Sequence, residues 1–232
     1  MTFIYNRMAS NVTVLFTQYY RPQDMMRQAE IDACLLANCS NPALTTIVVF
    51  QESPKHNLVV FQSARPRGTQ LIVSPLGRRV KFSDVFREAN RVHDRLAPIS
   101  KSLVMITCNA DIVVPSRTVD LMHKHLVPSS AWALSRWDST KDNRLVHYAN
   151  RMSQDTWAWK GKLDPPDADF EFGRGGCDNA IAERIRRAGR SMSNPSASVI
   201  TIHMHRNPAA RSWTFEDVSK PYLFLDPCSL EE

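Results

Sequence analysis

Short apolar runs alternate with stretches of helical periodicity through the first half of the chain. Residues 12–16 and 45–50 are apolar runs rich in β-branched side chains, which is typical of buried strands. Between them, Pro22 favours the start of a helix. The inner face of that helix is predicted to carry Met25, Met26, Ala29, Ala33 and Leu36. Two shorter apolar runs follow at residues 58–61 and 71–73.

A second helix and a long apolar run continue this alternation. Ser83 is predicted to cap a helix over residues 84–96. The apolar positions of that helix are Val85, Phe86, Ala89 and Val92. The apolar run 103–108 comes next, then a helix over residues 116–125 and a strand over residues 131–135. Alternating strands and helices predict an α/β fold with a Rossmann-like sheet flanked by helices.

The second half of the chain is less regular. Residues 136–176 are richer in Trp and polar residues, and we interpret them as substrate-facing structure. A late helix is predicted over residues 178–188 with Gly189 at its C′ position, and residues 198–202 form a last apolar strand. Because no repeat or low-complexity tract interrupts the chain, we predict one domain. Its two halves and tail are placed at about residues 10–112, 113–210 and 211–232.

Composition narrows the compartment and the partners. The chain has 232 residues, 43% of them hydrophobic, which suffices for a sizeable core. It shows neither a long apolar span nor the pattern of a signal peptide, so we expect no integral membrane association and a cytoplasmic location. Five cysteines without a Cys-x-x-Cys pair fit a reducing compartment and do not support a zinc ribbon. A formal net charge of +6, with basic clusters at residues 65–67, 78–81 and 184–187, permits an anionic partner.

Two polar side chains follow the apolar run 103–108 directly, Asn109 and Asp111. Ligands of open α/β sheets bind just beyond the carboxyl ends of the strands. A spacing of two in an extended segment places both side chains on one face, where they could reach a cation or a ribose hydroxyl. The alternative is a strand followed by a purely structural Asx turn.

Three further polar groups stand at the ends of predicted elements. In residues 173–179, three glycines lead to Asp178 at a helix N-terminus, where it is either an N-cap or a base beside a flexible turn. His203 and His205 follow the last strand on one side. Imidazole together with carboxylate suits Mn²⁺ or a similar divalent ion, and a hydrogen-bonded structural role is the alternative. Asp155 is predicted either to orient an acceptor or to brace a loop.

Taken in chain order, these features resemble the nucleotide-sugar-dependent glycosyltransferases of the GT-A fold. That family has a Rossmann-like half followed by a strand that ends in Asp-x-Asp, and Asn109-Ala-Asp111 matches this motif in place, with Asn instead of the first Asp. The resemblance implies that Asp111 binds Mn²⁺ or Mg²⁺ on the donor diphosphate, and that Asn109 contacts ribose or a metal-bound water. It implies a further metal ligand in His203 or His205. It also implies that Asp178 is the catalytic base, which deprotonates an acceptor attacking from the opposite face and so predicts inversion.

The same resemblance assigns residues to the donor and the acceptor. Thr17, Gln18 and Tyr19, after the first strand, are expected to hold the nucleoside. Arg79 and Lys81 are expected to help neutralise the leaving diphosphate. The residues expected to bind the acceptor are Arg136, Trp137, Asp155 and Trp157. For each Trp, Trp159 included, a place in the hydrophobic core is the alternative.

Two other classes of function stay open. A metal-dependent nuclease or phosphohydrolase could use the same Asp and His residues, although the sequence lacks the dense carboxylate cluster of two-metal sites. A basic nucleic-acid-binding domain could stack its Trp residues on bases and pair its Arg residues with phosphates. For a transferase, the acceptor stays open between a glycan, a protein, a small molecule and a hydroxylated base in DNA, and the donor sugar is not determined.

Overall fold

The computed structural model describes residues 10–53, 57–140, 142, 144–204 and 217–230. The strands are β1 (Ser10–Tyr19), β2 (Thr46–Gln51), β3 (Gln70–Pro75), β4 (Ser100–Cys108), β5 (Ile112–Val113), β6 (Ser130–Leu134), β7 (Trp137–Ser139), β8 (Leu145–His147), β9 (Thr156–Lys160), β10 (Ser191–Ser193) and β11 (Ile202–His203). The α-helices are α1 (Met25–Ser40), α2 (Val59–Ser63), α3 (Phe82–Leu96), α4 (Ser116–His125) and α5 (Cys177–Arg187). Among the described residues, no helix has both the length and the apolar character needed to cross a membrane.

The larger sheet has seven strands of mixed direction, in the order β10-β6-β9-β4-β1-β2-β3. Strand β1 pairs in parallel with β2 and β4, whereas β9 is antiparallel to both of its neighbours, β4 and β6. Because of this reversal, the amino end of β9 lies at the same edge as the carboxyl ends of β4 and β6. Loops that are far apart in the sequence therefore meet at this edge.

Both faces of the larger sheet are covered. Along β1, Val14 and Phe16 belong to one hydrophobic cluster and Leu15 to the other, since successive side chains of a strand point to opposite faces. Helices α3 and α5 contribute to the first cluster, and α1 and α4 to the second. A second sheet of four short strands, in the order β5-β11-β7-β8, joins segments from the second half of the chain.

Most of the elements predicted from periodicity are present. The α/β prediction is confirmed, and α4 has the predicted bounds. Strand β2 is buried throughout, and the predicted apolar positions of α3, at 85, 86, 89 and 92, are buried. Helix α5 starts and ends one residue earlier than predicted, with Gly189 in a left-handed conformation after it. Periodicity suffices for these elements because each has a continuous apolar stripe or run.

The predicted inner face of α1 is wrong. Met25, Met26 and Leu36 are 70%, 62% and 44% exposed, and the two alanines are exposed as well. The buried residues of α1 are Gln28, Ile31, Cys34, Leu35, Asn38 and Cys39. Two of these are polar, and hydrogen bonds make their burial favourable: Gln28 donates to Tyr19 and Asp32, and Asn38 bonds to backbone groups far away in the sequence. Counting apolar residues alone therefore selected the opposite side of the helix.

Asn38 joins α1 to the segment after β4. Its Nδ2 donates to the Ile112 carbonyl at 2.8 Å, and its Oδ1 accepts from the Val114 N–H at 2.9 Å. We expect Asn38→Leu to lower the free energy of unfolding by at least about 2 kcal/mol, because each buried backbone group left without a partner costs about 1–3 kcal/mol. Leu36→Ala on the exposed side should change it by less than about 0.5 kcal/mol. Urea denaturation of both variants measures the difference, and equal losses would contradict this orientation of α1.

Two smaller predictions also need correction. Ser83 is not the cap of α3, because the helix begins at Phe82 and the Ser83 hydroxyl donates to Asp169 at 2.8 Å. The last strand is shorter than predicted and belongs to the small sheet, where β11 comprises Ile202–His203. Pro195 starts a turn instead, since its carbonyl accepts from the N–H groups of residues 198 and 199.

Candidate active site

A cavity of about 630 Å³ opens at the sheet edge where β1 and β4 end and α5 begins. Open α/β sheets bind ligands at this edge, and the volume lies within the usual range for small-molecule sites, about 300–1,000 Å³. Its charged lining residues are Arg27, Arg79, Asp111, Arg136, Asp155, Arg174 and Asp178. Three carboxylates and four guanidinium groups thus face one space, an arrangement suited to a ligand that carries negative charge.

Asp111 is held between two cationic partners. Its Oδ2 lies 2.5 Å from Arg27 Nη2 and 3.0 Å from His203 Nε2. Burial by itself would raise the pKa of the Asp111 carboxyl, but His203 and Arg27 outweigh it and hold the pKa well below its usual range. Burial would lower the pKa of His203, and its hydrogen bonds to Asp111 and Asp138 instead raise it to about 9.

The residues around Asp111 fit a divalent cation. His203 Nδ1 lies 2.8 Å from Asp138 Oδ1, so that Nε2 is directed towards Asp111. A carboxylate behind one ring nitrogen is the usual support of a histidine that binds metal through the other. Among the described residues, no three His, Cys, Asp or Glu side chains form a complete metal site. Mg²⁺-type sites often use only one or two protein carboxylates, with substrate phosphates as the other ligands, and Asp111 is a carboxylate of this kind. For His203 to bind a cation through Nε2, it must first lose the proton that it shares with Asp111. The predicted ligand His205 lies outside the described residues.

Asp155 lies where the loops of the larger sheet meet. It immediately precedes β9, and its Oδ1 accepts from Asn109 Nδ2 at 2.8 Å. Its Oδ2 accepts from Arg136 Nη1 at 3.1 Å. The same guanidinium donates through Nε to Asp138 Oδ1 at 2.9 Å and lies over the Tyr148 ring, 4.4 Å from its centroid. One arginine therefore connects Asp155 to the carboxylate that supports His203.

Asp178 lies in the first turn of α5 and lines the cavity. The N-cap of that helix is Gly176, at a φ of 80°, which a glycine adopts without strain, so Asp178 is not the cap. The Cys177 thiol donates to Asp178 Oδ1 at 3.2 Å. Limited contact with bulk water and the negative charge of Asp155 raise the pKa of Asp178 to about 7. A carboxyl with such a pKa can accept a proton effectively near neutral pH.

Buried amide side chains hold the loop that carries Asp155 against α5. Asn179 Nδ2 donates to Gln154 Oε1 at 3.0 Å, and both residues are essentially inaccessible to solvent. Gln154 Nε2 in turn donates to the Arg151 carbonyl at 2.8 Å. The backbone N–H of Gln154 also donates to Asp178. These contacts bring the Asp155 and Asp178 carboxyl groups to neighbouring positions.

Of the residues predicted for the donor, Gln18, Arg79 and Asn109 line the cavity and three others do not. Gln18 points into it, so its strand neighbours Thr17 and Tyr19 point the other way. Thr17 donates to the Cys108 carbonyl at 3.4 Å, and the Tyr19 hydroxyl donates to Asp32 at 2.7 Å. Lys81 instead pairs with Asp169 at 2.8 Å. The structure therefore corrects the predicted donor contacts of Thr17, Tyr19 and Lys81.

Of the residues predicted for the acceptor, Arg136 and Asp155 line the cavity, and the Trp residues do not. Trp157 is completely buried in the core and packs edge-on against Phe82, with ring centroids 5.2 Å apart. Trp159 is completely buried as well. Trp137 donates to the Ser196 carbonyl at 2.8 Å and stacks on another ring of the small sheet. The predicted acceptor contact of Trp157 is corrected because a buried indole has no face left for a ligand. That of half-buried Trp137 is corrected because its ring is engaged in the small sheet and lies outside the cavity lining.

The cavity also contains residues that sequence reasoning missed. Arg27 reaches Asp111 across 84 positions of the sequence, and Arg174 pairs with Glu171 at 2.6 Å. Tyr20 hydrogen-bonds Arg27, and Tyr148 stacks with Arg136. No local pattern indicates these contacts. Position alone could have indicated Tyr20 and Arg174, since one follows β1 directly and the other lies within the Gly-rich turn.

Comparisons with known proteins show the fold. No protein-family model and no curated protein matches the sequence. Among solved structures, the mannosyltransferase PcManGT from Pyrobaculum calidifontis, in complex with GDP-Man and Mn²⁺, matches with a TM-score of 0.52 and 12% identity over 85% of this chain. S. aureus TarS 1–349, in complex with UDP-GlcNAc, matches with a TM-score of 0.54 and 10% identity over 84% of this chain. The matches span 58% and 59% of those two chains.

These similarities, together with the mixed seven-stranded sheet flanked by helices, show that the chain has the GT-A fold of nucleotide-sugar glycosyltransferases. At such low identity, the comparison shows the fold alone. The substrate, the metal and the reaction have to be argued from the cavity.

Proposed function

We propose that this protein is a metal-dependent glycosyltransferase that moves a sugar from a nucleotide-sugar donor to an acceptor hydroxyl with inversion. The observation that carries the proposal is the shared cavity. Asp178, a carboxyl whose pKa is raised to about 7, and Asp111, which His203 contacts at 3.0 Å, line this one cavity. A proton acceptor and a site for a diphosphate-bound cation are the two parts that such a transfer needs.

The donor diphosphate would bind on the Asp111 side of the cavity. Asp111 and His203 would hold a divalent cation, which when bound supplies positive charge to the phosphate oxygens of the leaving group. Arg79 offers a guanidinium to the same anion. Gln18 and Tyr20, at the end of β1, would contact the nucleoside, in the position where open α/β sheets hold nucleotides. The two similar structures hold GDP-Man with Mn²⁺ and UDP-GlcNAc, which supports a donor of this class.

Asp178 would act on the acceptor. Its carboxylate takes the proton of the acceptor hydroxyl while that oxygen bonds to the anomeric carbon. The bond from the anomeric carbon to the phosphate oxygen breaks, and its electron pair leaves with the nucleoside diphosphate. One displacement from the face opposite the leaving group inverts the anomeric configuration.

Nucleotide binding is the direct test of the donor site. A thermal-shift series with nucleoside diphosphates and nucleotide sugars, each with Mn²⁺ and with EDTA, should show one nucleotide that stabilises the protein mainly when Mn²⁺ is present. At a ligand concentration about 100 times Kd, binding stabilises the folded state by about 2.7 kcal/mol, which a melting curve detects readily. Oligonucleotides at two salt concentrations serve as the comparison. A strongly salt-dependent shift with oligonucleotides, and none with any nucleotide, would favour a nucleic-acid-binding domain instead.

A further inference from the structure

The environment of Asp178 contains an ion pair that the proposed reaction does not use directly. Asp155 and Arg136 line the same cavity as Asp178 and lie in two loops, one before β9 and one after β6. On its own helix, Asp178 meets the Cys177 thiol, and the N–H of Gln154 donates to it. Arg174, from the Gly-rich turn, lines the same cavity, but it pairs with Glu171.

Asp155 is firmly held in place. The residue is only 6% exposed, and both of its carboxylate oxygens accept hydrogen bonds, one from Asn109 and one from Arg136. Its backbone is anchored too, since its N–H donates to Leu134 and its carbonyl accepts from Asn109, both at 3.0 Å. A charge this well fixed and this poorly solvated acts strongly on a neighbouring carboxyl.

Arg136 is held as rigidly, and its charge has the opposite effect. Its guanidinium contacts Asp155 and Asp138 and stacks over the Tyr148 ring. The negative charge of Asp155 favours a proton on Asp178, and the positive charge of Arg136 disfavours it. The Asp155–Arg136 pair therefore balances two opposing influences on one group.

We propose that the Asp155–Arg136 ion pair is a positioning element for the base, which sets how strongly Asp178 attracts the acceptor proton. The inference rests on the proposed function, because it assigns the pair a role in that reaction. Asp155 then acts through Asp178 and not as a direct acceptor ligand. Arg136 also donates to Asp138, the carboxylate that contacts His203. This side chain is therefore fixed both by Asp155 and by the carboxylate next to the proposed cation ligand.

Two variants of the pair should shift the titration of Asp178 in opposite directions. Asp155→Asn removes the negative neighbour, so the pKa of Asp178 should fall below about 7. Arg136→Gln removes the positive neighbour, so the pKa should rise. A fixed charge in a poorly solvated site changes a neighbouring pKa by about 1–3 units, and we expect at least about one unit in each direction. Simple loosening of the site would not give opposite signs.

The titration is measured without any assay of activity. In protein labelled with ¹³C at the Asp carboxyl carbon, one NMR resonance should titrate near pH 7, be absent from Asp178→Asn, and move oppositely in the two variants. Asp167→Asn is the matched control, because Asp167 is an exposed residue paired with Arg187 at 3.1 Å and should leave the resonance unchanged. Unchanged titration in both variants, or shifts of the same sign, would overturn the proposal. If Asp155→Asn does not fold, the upward shift in Arg136→Gln decides alone.

The pH profile of sugar transfer then connects the pair to the reaction. Because the base must be ionised, kcat/KM of the wild type should fall about tenfold per pH unit below the pKa of Asp178. This acidic limb should move to lower pH in Asp155→Asn and to higher pH in Arg136→Gln. If the pKa of Asp178 moves in opposite directions in the two variants but the protein transfers no sugar, the electrostatic role of the pair stands and the proposed function is refuted. Transfer with an acidic limb that ignores both variants would refute the proposed role of the pair.

Discussion

Asp178→Asn should lower kcat for sugar transfer by about 10²- to 10⁴-fold, the usual contribution of a general base. The amide has nearly the same shape as the carboxyl, so the first turn of α5 should be preserved, but the amide cannot take the acceptor proton. Binding of the nucleotide and Mn²⁺ should persist, because Asp178 lies on the acceptor side of the cavity in the proposed arrangement. Steady-state kinetics together with the thermal shift given by the nucleotide separate these two effects.

The control for this prediction is again Asp167→Asn, which removes one carboxylate from an exposed ion pair and should retain wild-type kinetics. Asparagine is also tolerated at this position, since residue 167 has a φ of 55°. If Asp178→Asn kept more than about a tenth of the wild-type kcat, another group would have to be the base. If it lost nucleotide binding instead, Asp178 would belong to the donor site.

Asp111→Asn should lower kcat/KM by at least about 10²-fold and abolish the dependence of the rate on Mn²⁺. A bound cation stabilises the departing diphosphate by several kcal/mol, and each 1.36 kcal/mol corresponds to a factor of ten in rate. Asparagine retains an oxygen but lacks the charge that attracts the cation. The measurement is kcat/KM against Mn²⁺ concentration in the wild type and the variant.

Folding must be measured in parallel, because Asp111→Asn also leaves Arg27 and His203 without their shared counter-ion. Removing one member of a buried ion pair can cost about 3–5 kcal/mol of stability. A variant that is folded at the assay temperature by circular dichroism and lacks only the Mn²⁺-dependent rate would support the cation site. A folded variant with an unchanged Mn²⁺ dependence would show that Asp111 is not a ligand.

The parts of the fold and of the cavity that depend on local chemistry are predictable from the sequence. The apolar run before Asn109 predicted a buried strand, and its end predicted a site at the carboxyl edge of the sheet, where Asn109 and Asp111 line the cavity. The glycines before Asp178 predicted a helix that begins at a turn, and α5 does so. A resemblance in the order of motifs was enough to predict the GT-A fold, although the identity to the solved structures is only 10–12%.

Other predictions failed because the side chains have partners far away in the sequence. Nothing near Asn38 indicates that its amide will satisfy backbone groups at residues 112 and 114, and the apolar pattern therefore predicts the opposite face of α1 as the buried one. Similarly, the indole of Trp157 looked available for a sugar, yet β9 lies between β4 and β6 and the ring is buried there.

The sequence by itself determined the order of the main strands and helices of the first half, the sheet edge at which the cavity opens, and the types of residue available there, because each depends on neighbours within a few positions along the chain. Only the tertiary structure decided which of those residues face one another. The antiparallel insertion of β9 carries Asp155 to the edge occupied by Asn109 and Asp178, and α1 brings Arg27 to Asp111. The raised pKa of Asp178 arises from its burial and from the negative charge of Asp155, since a pKa reports the solvation and the charges around a group and not its position in the sequence.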